Sequence, residues 1–211
     1  MKQRSEEWFK VREGRFTSSR ISELLGIKGL GKTGMSYIQE KAIEKVFGRD
    51  KEEQFVSFDM QRGVTLEPVA FEIFKQSKGL DFIDVKEAYF FPYGSDSGSS
   101  PDGLVGNDAI LEIKCPRPNN FFDLLIHGID SIDKGYVAQM QHQMLCTNSK
   151  RCHFFNYIVY NNEPMHHEII IDRDDEMIEL IKERIKLAII ERDKIIEQLT
   201  PVQETSTSVK V

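Results

Sequence analysis

The chain has 211 residues, of which 40% are hydrophobic and 29% charged, and its formal net charge is −6. This composition excludes an intrinsically disordered chain, and no apolar run approaches the roughly 20 residues that a membrane-spanning helix needs. No signal-like start is seen and the three cysteines form no C-x-x-C pair, so we expect reduced thiols in a cytoplasmic protein without a membrane partner.

The first part of the sequence has the spacing of helices. Predicted helices follow the N-cap residue Ser5 and then cover Thr17–Gly26, Ser36–Phe47 and Asp59–Lys78. The glycine-rich stretch Gly26–Gly34 is predicted to be a loop. Pro68 favours a helix boundary near its own position, because proline lacks the backbone N–H that a helix interior uses.

The pattern changes to strands from residue 85 onward. Strands are predicted at Val85–Phe91, Gly98–Val105, Ala109–Lys114, His153–Tyr160 and His166–Ile171, and helices at Phe121–His127, Tyr136–Cys146 and Asp174–Leu199. This order predicts an α/β (α+β) fold with a mixed β-sheet flanked by helices. We expect a single domain over residues 1–200 and a flexible tail over residues 201–211, which lack periodicity.

One segment matches a nucleotide-binding pattern. Gly26-Ile-Lys-Gly-Leu-Gly31-Lys32-Thr33 fits G-x-x-x-x-G-K-[ST] at every specified position. A P-loop follows a buried apolar strand, whereas residues 20–25 have helical spacing and carry charges. The context therefore favours a flexible basic loop that ends in helix-stopping glycines, and a P-loop ATPase stays an alternative function.

Two carboxylates and a lysine lie on neighbouring predicted strands. Asp102 sits at a bend, and the side chains of Glu112 and Lys114 point to one face of the next strand because they are two residues apart. Mg²⁺ or Mn²⁺ would relieve the repulsion between the carboxylates, with the backbone carbonyl of Ile113 as a further oxygen ligand. Lys114 could then help to activate a water that attacks a phosphate. A surface Glu–Lys pair is the alternative that this pattern leaves open.

The pattern of Pro101-Asp102 followed by Glu112-Ile113-Lys114 resembles the signature of PD-(D/E)XK nucleases. The wider sequence resembles the lambda-exonuclease family of these enzymes, the YqaJ-type viral recombinases. The matching blocks are Trp8–Gly14, Thr17–Ser19, Arg62-Gly63 with Leu66-Glu67, Ser99–Gly103, Leu111–Pro116 and Tyr136–Gln141. The blocks occur in the family's order, and the resemblance implies a restriction-endonuclease-like core.

The resemblance also implies roles for individual residues. Asp102 and Glu112 match the metal-binding carboxylates, and Lys114 matches the catalytic lysine. Glu67 matches the acidic residue that completes the metal and water shell, and Gln139 matches the family's active-site glutamine.

Two further residues match a DNA-end site of the family. Arg12 and Ser19 match the pair that holds the 5′-phosphate of a DNA end. General chemistry agrees, because an arginine and a hydroxyl at a helix start can bind an anion. A surface charge and a helix cap are the alternative roles of these residues.

The function implied by the resemblance is a Mg²⁺-dependent 5′→3′ exonuclease that degrades one strand of double-stranded DNA from its ends. Two ions are expected per site, with Mn²⁺ able to substitute. The implied setting is phage or prophage recombination in the cytoplasm of a bacterial host. The implied partners are DNA ends, a single-strand annealing protein and copies of the same chain in a homotrimer. A PD-(D/E)XK endonuclease or repair nuclease is the alternative within this fold.

Overall fold

The structure, a computed structural model, describes residues 5–50, 58–78, 82–83 and 90–208. The α-helices are α1 (Glu6–Arg12), α2 (Gly31–Phe47), α3 (Phe58–Lys78), α4 (Pro118–His127), α5 (Lys134–Thr147) and α6 (Asp175–Ser208). Two 3-10 helices cover Ser18–Leu24 and Gly128–Ser131. The strands are β1 (Phe16–Thr17), β2 (Phe82–Ile83), β3 (Phe91–Tyr93), β4 (Ser97–Ser99), β5 (Gly103–Val105), β6 (Ala109–Lys114), β7 (Arg151–Tyr160) and β8 (Glu163–Asp172).

These strands form two mixed sheets. The larger sheet has the order β2-β5-β6-β7-β8, in which β6 and β7 run parallel and the other neighbours antiparallel. Parallel neighbours need a long crossover, which α4 and α5 supply between β6 and β7. The smaller sheet has the order β1-β4-β3. The predicted mixed sheet flanked by helices is therefore confirmed.

Strand β6 is buried on both of its faces. Ile110 packs with residues of α4 and α5, whereas Leu111 and Ile113 pack with α3 on the opposite face. Each fully buried side chain of this size contributes about 1.5–3 kcal/mol to folding, so β6 is held firmly between two apolar layers. Since side chains alternate along a strand, Glu112 shares the face of Ile110 and points toward α5.

Several predicted boundaries differ from the structure. The predicted strand Gly98–Val105 is split into β4 and β5, which belong to different sheets, because residues 100–102 form a bend around Pro101. Of the predicted strand Val85–Phe91, residues 84–89 lie outside the described part, and Phe91 opens β3. The hairpin turn after β7 has only two residues, Asn161 and Asn162, and their positive φ values suit such a tight turn.

The helices also differ in detail. The predicted loop Gly26–Gly34 is shorter, because α2 already begins at Gly31. The helix boundary predicted near Pro68 is wrong, since Pro68 lies inside α3. Packing of that helix against the large sheet offsets the hydrogen bond that proline removes. Helix α6 extends past Leu199 to Ser208, whereas the single domain over residues 1–200 and the flexibility of residues 201–211 stay predictions.

No helix in the described ranges is both long and apolar enough to cross a membrane.

A buried histidine joins three parts of the fold. The ring nitrogens of His142 in α5 lie 2.8 Å from Ser18 Oγ and 3.0 Å from Ser97 Oγ. Burial lowers the pKa of His142 to about 3. The folded protein therefore keeps this ring neutral at pH values where an unfolded chain, with an ordinary histidine pKa of roughly 6.5, binds a proton.

We expect this histidine to make the fold sensitive to acid. As the pH falls from about 6.5 toward about 3, the unfolded state binds one more proton at this position, so the free energy of unfolding falls by up to about 1.4 kcal/mol per pH unit. A His142→Gln variant keeps hydrogen-bonding capacity without titrating. Urea unfolding of both proteins at about pH 7.5 and about pH 5 measures the effect, and an equal loss of stability in the two proteins would contradict it.

Candidate active site

A cleft of about 860 Å³ opens beside the C-terminal end of β6. Its walls include Glu67 from α3, Ile113 and Lys114 from β6, Tyr136 from α5 and Asn156 from β7. Elements that are distant in the sequence thus meet at one concave surface, which is the usual setting of a catalytic site.

Asp102 is held against β6 by two hydrogen bonds. Its carboxylate Oδ2 accepts from the backbone N–H of Ile113 at 2.7 Å, and its own N–H donates to the carbonyl of Leu111 at 3.0 Å. The side chain is buried, with 8% of the residue surface exposed. The bend between β4 and β5 therefore places this carboxylate next to the strand that carries Glu112.

Glu112 is buried and accepts three side-chain hydrogen bonds. Its Oε1 accepts from Lys114 Nζ at 2.5 Å and from Gln139 Nε2 at 2.6 Å. Its Oε2 accepts from Gln143 Nε2 at 2.6 Å. Lys114 Nζ also donates to Gln139 Oε1 at 3.3 Å, so the lysine, the carboxylate and this amide form a closed network.

The charges of this network are coupled. Burial alone would lower the pKa of Lys114, but the charge and hydrogen bond of Glu112, together with the charge of Asp102, raise the pKa above its ordinary value. Lys114 is therefore an ammonium group, which lies 4.7 Å from the centre of the Tyr136 ring. Two carboxylates and one ammonium leave a net negative charge in a buried place, and this charge favours a further cation.

The oxygen donors of the cleft fit a hard divalent cation. The charges of Asp102 and Glu112 both raise the pKa of Lys114, so the two carboxylates lie near this lysine. Glu67 and Ile113 line the same cleft as Lys114. Within the described part of the chain, no three His, Cys, Asp or Glu side chains are close enough to hold a metal by themselves. Water, a backbone carbonyl or substrate phosphates would have to complete the coordination, as is usual for Mg²⁺. The metal-binding roles of these residues stay predictions.

The two residues predicted to bind a 5′-phosphate lie in the N-terminal part. Arg12 ends α1, with its guanidinium carbon 4.0 Å from the centre of the Trp8 ring, and burial lowers its pKa to about 10, so it keeps its charge. Ser19 is exposed in the first turn of the 3-10 helix Ser18–Leu24. Neither Arg12 nor Ser19 is among the described residues that line the cleft. Their phosphate-binding role stays a prediction.

Gln143 is a site residue that the sequence analysis missed. It lies one helical turn after Gln139 on α5, and both amides reach Glu112. The spacing of four residues between two glutamines on one helix face is the signal that could have identified it.

The segment Gly26–Thr33 lacks the setting of a P-loop. The residues before it, Ser18–Leu24, form a 3-10 helix, whereas a P-loop follows a strand. Lys32 and Thr33 belong to the first turn of α2.

Comparison with known proteins supports this description of the fold. Residues 7–150 match the YqaJ-like viral recombinase domain. No match to a curated protein was found.

Three solved structures with a similar fold are exonucleases. The chain is similar to LHK-Exo in complex with dAMP, with 28% identity, a TM-score of 0.81, and coverage of 97% of this chain and 100% of that chain. It is also similar to the alkaline exonuclease LHK-Exo from Laribacter hongkongensis, with 29% identity and a TM-score of 0.77. That match covers 97% of this chain and 100% of the other chain. A phage related exonuclease from Haemophilus somnus 129PT, at 18% identity, a TM-score of 0.69, and 90% and 99% covered, shows the fold alone.

Proposed function

Because this chain belongs to the YqaJ-like viral recombinase family, we propose that it is a Mg²⁺-dependent exonuclease that degrades one strand of double-stranded DNA from 5′ to 3′. The family match and the likeness to exonuclease structures identify the chain as a nuclease. The observation that carries the proposed metal-dependent chemistry is the cluster of the buried carboxylates Asp102 and Glu112 with the half-buried Lys114, which lines the cleft.

Asp102 and Glu112 would hold the metal, together with Glu67 and the backbone carbonyl of Ile113. A bound divalent ion lowers the pKa of a water molecule and neutralises charge on the scissile phosphate. Neither carboxylate is among the described residues that line the cleft, but each is hydrogen-bonded to a residue that does: Glu112 to Lys114, and Asp102 to the N–H of Ile113.

Lys114 is suited to orient the attacking water or the phosphate. Its ammonium group has three hydrogens, and two of them are used by Glu112 and Gln139. The third can be donated to an oxygen of the water or of the phosphate. Gln139 fixes the ammonium group because its amide accepts from Lys114 and donates to Glu112 at the same time.

The broader setting of the proposal follows from the family. Two ions per site and the use of Mn²⁺ in place of Mg²⁺ suit a cluster of carboxylates that phosphate oxygens complete. The family's description as viral recombinases supports a role in phage or prophage recombination in the bacterial cytoplasm. A single-strand annealing protein and a homotrimer around DNA are the partners that we propose on the same basis.

Labelled duplexes test the direction of digestion. With Mg²⁺, 5′→3′ degradation releases a 5′ label as a mononucleotide at the start of the reaction, while a 3′ label stays in a shortening strand. A parallel reaction with EDTA in place of Mg²⁺ controls for metal dependence. Early release of the 3′ label would contradict the proposed polarity, and release of internal fragments would favour the endonuclease alternative.

The loop with the nucleotide-binding pattern gives a separate prediction. We expect Lys32→Ala to keep ATP-free nuclease activity within a few-fold of wild type, because Lys32 lies outside the carboxylate cluster. If Lys32 contacts one DNA phosphate, the salt dependence of binding falls by about one unit of slope. Lys28→Ala, in the loop just before α2, is the matched control for loss of charge. If the wild type hydrolyses ATP and Lys32→Ala does not, the P-loop ATPase hypothesis would be supported instead.

A further inference from the structure

We propose that Gln143 is a positioning residue of the active site, whose amide fixes the carboxylate of Glu112 in the orientation required for metal binding. This inference rests on the proposed metal-dependent nuclease function and concerns the same site. Gln143 lies in the core beneath the carboxylate and is absent from the residues, among those described, that line the cleft.

The contact between the two side chains is short and shielded from solvent. Gln143 Nε2 donates to Glu112 Oε2 at 2.6 Å, and the two residues are 1% and 3% exposed. Gln139 holds the other oxygen, Oε1, from one turn earlier on α5. Two amides on one rigid helix therefore hold both oxygens and fix the plane of the carboxylate.

The second atom of the Gln143 amide argues against a purely structural role. Its Oε1 is buried and, among the described residues, has no hydrogen-bond partner. The amide cannot be turned around, because a carboxylate only accepts hydrogen bonds and the donor must face Glu112. A buried acceptor without a partner destabilises the fold, and an apolar side chain of the same length would avoid that cost. The arrangement is favourable only if the bond to Glu112 is needed.

Loss of this bond would change how Glu112 meets a cation. Without Gln143 Nε2, Glu112 Oε2 loses the side-chain amide that holds it, and the carboxylate is free to turn toward the ammonium group of Lys114. The lysine would then compete more strongly with the metal for the same negative charge. Partners that orient metal-binding side chains typically contribute about 10- to 100-fold to metal affinity or activity.

Gln141 offers a matched control on the same helix. It is also buried, at 2% exposed, but its amide donates to the carbonyl of Asp172 at 2.9 Å and accepts from the N–H of Asp174 at 2.9 Å. These bonds tie α5 to the end of β8 and the start of α6, away from Glu112. Replacement of Gln141 therefore removes a buried amide of equal size without touching the carboxylate.

The experiment compares Gln143→Met with Gln141→Met, because methionine keeps the length of glutamine and removes the amide. Calorimetric titration with Mn²⁺ alone gives the metal Kd, steady-state digestion of linear duplex gives kcat and KM, and thermal unfolding gives Tm. We expect Gln143→Met to weaken Mn²⁺ binding and to lower kcat, each by about 10- to 100-fold, with KM for DNA within about twofold of wild type. We expect Gln141→Met to lower Tm while Kd and kcat stay within about twofold of wild type.

A Gln143→Met protein with wild-type Kd and kcat would overturn the proposal, and so would equal losses of Kd and kcat in both variants. If Gln143→Met does not fold, Gln143→Asn replaces it: its amide is too short to keep the 2.6 Å bond, and wild-type Mn²⁺ affinity in this variant would equally overturn the proposal. The metal titration also separates the two claims. If Gln143→Met binds Mn²⁺ more weakly than the wild type but the wild type digests no DNA, the nuclease function is refuted and this inference stands.

Discussion

Asp102→Asn is expected to reduce DNA hydrolysis by about a hundredfold or more and to weaken binding of Mg²⁺ and Mn²⁺. The substitution removes a negatively charged ligand but keeps the side-chain shape and an oxygen that can accept from the N–H of Ile113. The fold is therefore preserved while the site loses charge. Lys114→Ala is expected to reduce hydrolysis by a similar factor and to keep the metal, because it removes a cation that competes for Glu112.

Calorimetric Mn²⁺ titration and single-turnover digestion of both variants measure these effects. Asp108→Asn is the matched control, since Asp108 is a half-exposed carboxylate in the turn between β5 and β6, where its Oδ2 lies 3.7 Å from Lys150 Nζ. This control should keep the wild-type metal Kd and the wild-type rate. Unchanged turnover in Asp102→Asn or in Lys114→Ala would remove that residue from the active site.

Duplex DNA with a 5′-phosphate is expected to be digested roughly 10- to 100-fold faster than the same duplex with a 5′-hydroxyl. A terminal phosphate can accept several hydrogen bonds from Arg12 and Ser19 and pairs its negative charge with the guanidinium, whereas a 5′-hydroxyl offers one neutral oxygen. Hydrogen bonds to charged groups contribute about 1.5–3 kcal/mol each, which sets the size of the expected preference. Although burial lowers the pKa of Arg12 to about 10, the guanidinium stays charged at neutral pH.

Arg12→Ala should remove most of this preference, because loss of the guanidinium slows digestion of phosphorylated ends. Digestion itself should continue, because the substitution leaves the metal site intact. Lys10→Ala is the control, since Lys10 is an exposed cation on the same helix α1. Initial rates on both kinds of end, measured for wild type and both variants, give the result. An Arg12→Ala protein that keeps the full preference would refute the phosphate-binding role of Arg12 and leave the carboxylate cluster unaffected.

The residues that could be located from the sequence are those encoded by local spacing. Glu112 and Lys114 are two apart on a strand, so their common face follows from the period of a strand alone. That strand, Ala109–Lys114, was predicted with its observed bounds, because it is continuous in both sequence and structure. The sequence predicts Asp102 near Glu112 because the two lie on neighbouring strands, and the bond from Ile113 N–H to Asp102 is consistent with this closeness.

Features that depend on contacts between distant parts of the chain could not be predicted from local spacing. The division of residues 98–105 between β4 and β5 depends on pairing with strands elsewhere, so a single continuous strand was predicted instead. Pro68 stays inside α3 because the helix packs on the sheet, which local helix rules do not include. Gln143 was missed because its role depends on which face of α5 meets β6, and only the folded chain shows that face.

Digestion of linear and covalently closed circular duplex with Mg²⁺, side by side, tests the exonuclease function most directly. An enzyme that starts at DNA ends degrades the linear duplex to mononucleotides and leaves the closed circle intact, and cutting the circle once with a restriction enzyme makes it a substrate. This is the result that we predict, with no digestion of either DNA in EDTA. Degradation of the closed circle at a rate similar to that of the linear duplex, or no Mg²⁺-dependent digestion of linear duplex, would contradict it.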